Sequence, residues 1–199
     1  MKQKSLLFTL LVFVFSLNSF GQINAQIKDV FKTFQEGYTK RDTALVGKFT
    51  TDLCTKDISI LGTGDTEWFQ GIAAAKGLFK NDWAYWMALS IDTTNIKMTT
   101  FENSAFFMVP ATASITFPSK EVAYDFAIGQ LQQSINNVKT NHNKLLAYSS
   151  EAADLIQKIE SGGLEIKYSI RLAGGLVKQN GKWLFKQLIF SFPAPMIRK

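Results

Sequence analysis

The chain has 199 residues, a formal net charge of +6, one histidine and one cysteine. That length suits one domain, and basic residues scattered along it rather than gathered in a stripe argue against a nucleic-acid partner. One His and one Cys exclude an intramolecular disulfide and a zinc site of the usual His/Cys type. No Asp-rich loop has calcium spacing, so neither metal nor cofactor is expected.

Residues 1–21 read as a secretory signal peptide. Lys2 and Lys4 make a basic start, Leu6 to Phe15 is an almost unbroken apolar run, and Ser19-Phe20-Gly21 suits cleavage before Gln22. The run is shorter than the roughly 20 residues of a comfortable span, so no stable membrane span is expected after processing. The mature chain, 199 less 21 or 178 residues, loses two lysines, taking +6 to +4. Its expected location is the periplasm or the medium. With no disulfide, its stability rests on the core, for which seventeen Phe and four Trp, less the few in the leader, provide material.

Ile27, Val30, Phe31, Phe34 and Tyr38 have the spacing of an amphipathic first helix. Asp42 suits the N-cap of a short second helix carrying Leu45, Val46 and Phe49. Cys54 follows as a small buried residue. Ile58-Ser59-Ile60-Leu61 is a strand that stops at Gly62-Thr63-Gly64, and after an extended Glu67-Trp68-Phe69 the chain enters a third helix from Gly71. Residues 89–99 and 104–117 read as strands.

The segment Ser119–Gly163 repeats apolar residues at helical spacing from Tyr124 to Ile159. One helix of that length would run roughly 54 Å, too long for the domain. A helical hairpin is expected, broken near Tyr148-Ser149-Ser150 or at Asn141-His142-Asn143. The chain closes with a β-hairpin turning at Asn180-Gly181, a type I′ signal. Its return strand places Trp183, Phe185 and Ile189 on one face and Leu184, Leu188, Phe190 and Phe192 on the other, which predicts cover on both sides. Gly174-Gly175 marks a bulge or bend.

Three segments carry a family resemblance: Phe34 through Asp42 to Phe49; Gly62-Thr63-Gly64-Asp65-Thr66-Glu67-Trp68 to Gly71; and Arg171 through Trp183 to Ser191. Together they resemble the SnoaL-like branch of the nuclear-transport-factor-2-like superfamily over about residues 25–118 and 163–193. The resemblance implies an α+β cone, a curved and mostly antiparallel sheet wrapped on three N-terminal helices, here with a helical hairpin inserted at about 119–162. Residues 22–199 then form a single domain. It also implies a pocket and, in many members, a dimer. Steroid-isomerase-type members use a Tyr on the first helix and an Asp on the first strand. Those positions hold Phe34 and the carboxylate-free Ile58-Ser59-Ile60-Leu61, so neither role transfers.

The remaining acid–base candidates are weak. Asp65 and Glu67 flank the corner before Trp68, where an indole can desolvate a carboxylate; the favoured reading is that Asp65 stabilises the glycine turn and Glu67 favours the start of the next helix. Asp82 beside Trp83 reads as part of a solvated helix face, and Tyr38 and Tyr85 as packed rings with their tips in solvent. His142 falls on an apolar stripe and reads as structural. Tyr38, Trp68, Trp83, Trp86, Phe107 and Gln187 are the candidates for a ligand pocket, Gln187 because it interrupts an apolar face. The expected function is binding of a small apolar or amphipathic molecule in that pocket. The alternatives are a metal-independent isomerase or dehydratase, and a structural homodimer of the cell envelope. A homodimer would form through the sheet or the inserted helices.

Overall fold

The computed structural model describes residues 22–64, 66–136 and 138–193; the expected signal peptide at 1–21 lies outside them. Helix α1 covers residues 22–40. It is followed by α2 (Val46–Leu53), β1 (Cys54–Leu61), β2 (Trp68–Gln70), α3 (Gly71–Tyr85), β3 (Ala88–Ile91), β4 (Lys97–Thr100) and β5 (Ser104–Thr116). Then come α4 (Lys120–Asn136), α5 (Asn141–Gly162), β6 (Glu165–Gln179) and β7 (Lys182–Ser191). The class is α+β, with three helices ahead of most of the sheet. The strands form one open sheet in the order β2-β1-β7-β6-β5-β3, with β4 on β5. Strand β1 runs antiparallel to β2 but parallel to β7. No helix among the described residues is long and apolar enough to cross a membrane.

The chain divides into two compact units, residues 22–111 with 170–193, and residues 112–169. The first unit is held by aromatic packing. Phe31, Phe34 and Tyr38, at helical spacing on α1, are fully buried. Phe31 meets Phe107 edge-on at 4.8 Å, Phe34 meets Phe185 at 5.3 Å, and Phe49 of α2 meets Trp83 of α3 at 4.8 Å. Such edge-to-face pairs set each positive ring edge against a negative face. The second unit is the expected helical hairpin. Phe117, Ala123, Ala127, Leu155, Ile159 and Ile166 make its own small core, and Glu160 accepts from Lys120 and Tyr124.

Local chemistry moves several expected boundaries. Ser149 and Ser150 do not break the hairpin: their hydroxyls bond back to the Leu146 carbonyl, so they are satisfied inside α5. The break lies instead between Asn136 and Asn141, where Thr140 caps α5 by accepting from the Asn143 amide. The expected strand 89–99 is two strands, because Asp92 Oδ1 captures the amides of Thr94 and Asn95 and turns the chain. Asp42 does not cap α2. It closes a turn onto Ala44 ahead of the helix, and Leu45 is the N-cap.

The largest departure concerns β7. The β6–β7 register shifts between Gly175 and Leu176: Gly175 faces Gln187 but Leu176 faces Phe185. Lys186 is therefore an extra residue on β7, and a single extra residue reverses the facing of everything beyond it. Trp183, Phe185, Leu188 and Phe190 consequently share the buried face, while Phe192 is exposed. The strand is not fully covered on both sides. The bulged Lys186 pairs with Asp57.

Candidate functional site

The Gly62-Thr63-Gly64 corner is shaped by Glu67. Its main chain closes the turn through Gly62 N–H to Glu67 O (2.9 Å) and Glu67 N–H to Gly64 O (3.1 Å). Its Oε2 also accepts from the Gly64 amide at 2.8 Å. A Cβ on Gly62 would stand 2.2 Å from that carboxylate oxygen, so the close approach requires glycine. Glu67 thus shapes the corner rather than opening the following helix. Asp65 lies outside the described residues.

Beside this corner a half-open cleft of about 380 Å³ is bounded by residues from β2, α3 and β7. Phe69, Tyr85, Trp86 and Phe190 give it aromatic walls; Thr63, Glu67, Asn81, Asp82 and the Tyr85 hydroxyl are its polar groups. Asp82 is half-buried and contributes the central carboxylate. Its Oδ2 accepts a 2.6 Å hydrogen bond from the Tyr38 hydroxyl, and its other oxygen has no hydrogen-bond partner among the described residues.

Burial pushes the Asp82 carboxyl up to about 6, and the charge of Glu67 adds to the rise. The Tyr38 hydrogen bond and the charge of Arg41 act the other way without cancelling it. Desolvation dominates because a charged carboxylate leaving water loses more than one good donor returns. Burial and the neighbouring carboxylate hold Tyr38 well above its ordinary value of 10, so it stays a neutral donor.

Arg41 holds this arrangement from behind. It donates from Nε to the Trp83 carbonyl (2.9 Å), and from Nη2 to the carbonyls of Asp82 (3.1 Å) and Trp86 (2.7 Å). These include carbonyls at the C-terminal end of α3, where a cation also meets the negative end of the helix dipole. Arg41 itself sits at φ 53°, in the left-handed region.

Of the residues singled out in the sequence, Glu67 and Trp86 line this cleft and Tyr38 bonds to its carboxylate. Tyr38 is fully buried, with no tip in solvent, whereas Tyr85 is 83% exposed at the rim. Trp83 is buried against Phe49, in the core beside the cleft. Trp68 is 73% exposed on the edge strand and is not among the lining residues. Phe107 and Gln187 meet at a separate shallow concavity with Phe106, Met108, Gly174 and Ile189, and Gln187 is exposed there. His142 is exposed at the start of α5, not a partly buried structural residue. Cys54 is buried at the start of β1, its thiol pushed up to about 12 by burial.

Asp82, read from the sequence as part of a solvated helix face, is instead half-buried and lines the cleft. The signal was present in its spacing, three residues after Phe79 and four before Trp86, which puts it on the helix face they share. Among the described residues no group of three or more His, Cys, Asp or Glu side chains is placed to hold a metal ion.

No protein-family model matches the chain, and no curated protein matches it. Solved structures do. A nuclear-transport-factor-2-like superfamily protein from Salmonella enterica serovar Typhimurium is 10% identical, with a TM-score of 0.55 over 88% of this chain and 94% of that one. A protein of the same type, of unknown function, from Pseudomonas putida KT2440 is 10% identical, with a TM-score of 0.54 over 89% and 91%. A ketosteroid isomerase-like protein from Erwinia carotovora atroseptica is 12% identical, with a TM-score of 0.50 over 86% and 96%. At these identities the likeness is one of fold. The chain has the nuclear-transport-factor-2-like fold, as its sequence resemblance to the SnoaL-like branch implied.

Proposed function

We propose that the protein binds a small amphipathic molecule in the cleft between the Gly62–Glu67 corner and α3. One observation carries this reading: Asp82, lining a cleft with aromatic walls, has one oxygen fixed by the buried Tyr38 and the other left to accept from a ligand. A few convergent polar groups on an apolar wall are what orient a small molecule. Native mass spectrometry of protein purified from its own compartment tests it. A retained mass lost in Trp86→Ala supports the reading; an empty protein from that compartment counts against it.

A second reading is metal-independent acid–base catalysis. It is favoured by the Asp82 carboxyl at about 6, close to neutral operating pH, in contact with a phenol. The steroid-isomerase pair of positions stays unmatched, so any catalysis would use Asp82 differently. Incubation of the retained molecule with wild type and Asp82→Asn distinguishes the two: turnover lost in the variant means catalysis, and an unchanged molecule means binding.

Export directed by residues 1–21 and self-association belong to the same proposal. Cell fractionation with N-terminal sequencing tests the first, and light scattering of the mature protein the second.

A further inference from the structure

We infer that the cleft selects an organic cation, an ammonium group seated between Asp82 and Glu67 with its apolar body along Phe69, Trp86 and Phe190. This rests on the reading of the cleft as a binding site and adds the charge of its ligand.

The lining decides the sign. Among the described residues it contains two acidic side chains and no Lys, Arg or His. Arg41, the cation acting on Asp82 from nearby, is committed to three main-chain carbonyls and is not part of the lining. Among the described residues two carboxylates therefore share the half-open cleft with no cation in its lining. Their mutual repulsion is already felt at Asp82, whose proton Glu67 helps to retain. A bound cation would relieve that repulsion, whereas a bound anion would add to it.

The available hydrogen-bond groups agree. Glu67 and Asp82 each keep one oxygen without a hydrogen bond among the described residues, since Glu67 Oε2 serves Gly64 and Asp82 Oδ2 serves Tyr38. Both free positions accept and neither donates; the donors in the lining, the Asn81 amide and the Thr63 and Tyr85 hydroxyls, are all neutral. The aromatic walls add ring faces, which attract an alkylammonium through the ring quadrupole and also cover its methylenes. A small inorganic ion would leave these rings unused. An alkylammonium uses both parts of the cleft.

Calorimetric titration of the full processed chain at pH 7.5 with three octyl probes tests the inference: octylammonium, 1-octanol and octanoate. The expected result is that the ammonium binds at least roughly ten-fold tighter than the other two. Asp82→Asn should bring it to the level of octanol, and Glu67→Gln should weaken it about three-fold. Should Asp82→Asn fail to fold, Glu67→Gln and the ranking of the probes still decide. If octanol or octanoate binds as tightly as the ammonium and Trp86→Ala abolishes it, the cation inference falls while the binding site stands. If none of the three binds, both fall.

Discussion

The phenol of Tyr38 on α1 donates to Asp82 Oδ2 on α3 across 2.6 Å, linking a fully buried ring to a carboxylate that lines a cleft. The bond favours the charged form of Asp82, yet burial outweighs it. Tyr38→Phe keeps the ring and removes the donor. The Asp82 carboxyl should then titrate above about 6, and the fold should lose roughly 1 kcal/mol. A carboxyl-carbon NMR titration of both proteins checks this; an unmoved or lowered midpoint would contradict it.

The Asp82 carboxyl, raised from 3.8 to about 6, makes stability depend on pH in a definite direction. The native state holds this proton more tightly than the unfolded chain does. Its contribution is therefore full below pH 3.8 and lost as pH rises through about 6. Asp82→Asn removes that dependence. Relative to wild type, the variant should gain on the order of 2 kcal/mol between pH 4 and pH 7.5. Urea unfolding of both proteins at the two pH values measures it, and a pH-independent difference would rule the assignment out.

Arg41 combines three hydrogen bonds with a backbone conformation that an L side chain adopts at a cost. Arg41→Ala should lower stability by about 2–3 kcal/mol through the lost bonds to the α3 carbonyls. Arg41→Gly loses the same bonds but fits φ 53° freely, so it should be about 1 kcal/mol milder than Ala. The ordering of the two in denaturant melts is the test, because pure bond loss would make them equal.

Two adjacent glycines in β6 should respond in opposite ways. A Cβ on Gly174 would lie 2.0 Å from the Gln187 carbonyl oxygen, and the residue sits at φ 156°. On Gly175 the nearest neighbour would be 3.8 Å away. Gly174→Ala should cost at least about 3 kcal/mol, and Gly175→Ala no more than about 1 kcal/mol. Comparable melting points for the two variants would mean that the bulge is placed wrongly.

Ile159 is fully buried at the centre of the second unit. Ile159→Ala should cost about 2–5 kcal/mol and release amide protection in residues 120–136 and 141–162. Hydrogen exchange of those segments reads it out, and unchanged protection would remove Ile159 from the centre of that core.

What the sequence discloses is mainly local. The Asn180-Gly181 turn was legible because its two residues themselves supply the positive φ angles, 51° and 78°. The facing of β7 was not, since the extra residue at Lys186 is defined only against its partner strand. Ser149 and Ser150 resemble a helix break on paper because their hydroxyls can compete with the main chain; within α5 they bond back to Leu146 instead. The site follows the same rule. Glu67 and Trp86 were found as corner and helix residues, whereas the pairing of Asp82 with Tyr38 spans 44 positions. The aromatic residue nearest the corner in sequence, Trp68, was misleading because adjacency along an extended strand sends neighbouring side chains to opposite sides.

The parallel pairing of β1 with β7 has a consequence for the order in which the protein is made. Cys54–Leu61 leave the ribosome long before Lys182–Ser191, and Phe34 waits longer still for Phe185. The local helical hairpin at residues 120–162 emerges between them and has its own core, so it is free to form first. Closing the early helices over the sheet must wait for the last strand, a slow step because the closing contacts are distant in sequence. Until then the aromatic face of α1 needs temporary cover, which makes nascent chains stopped before Lys182 the species most prone to aggregate.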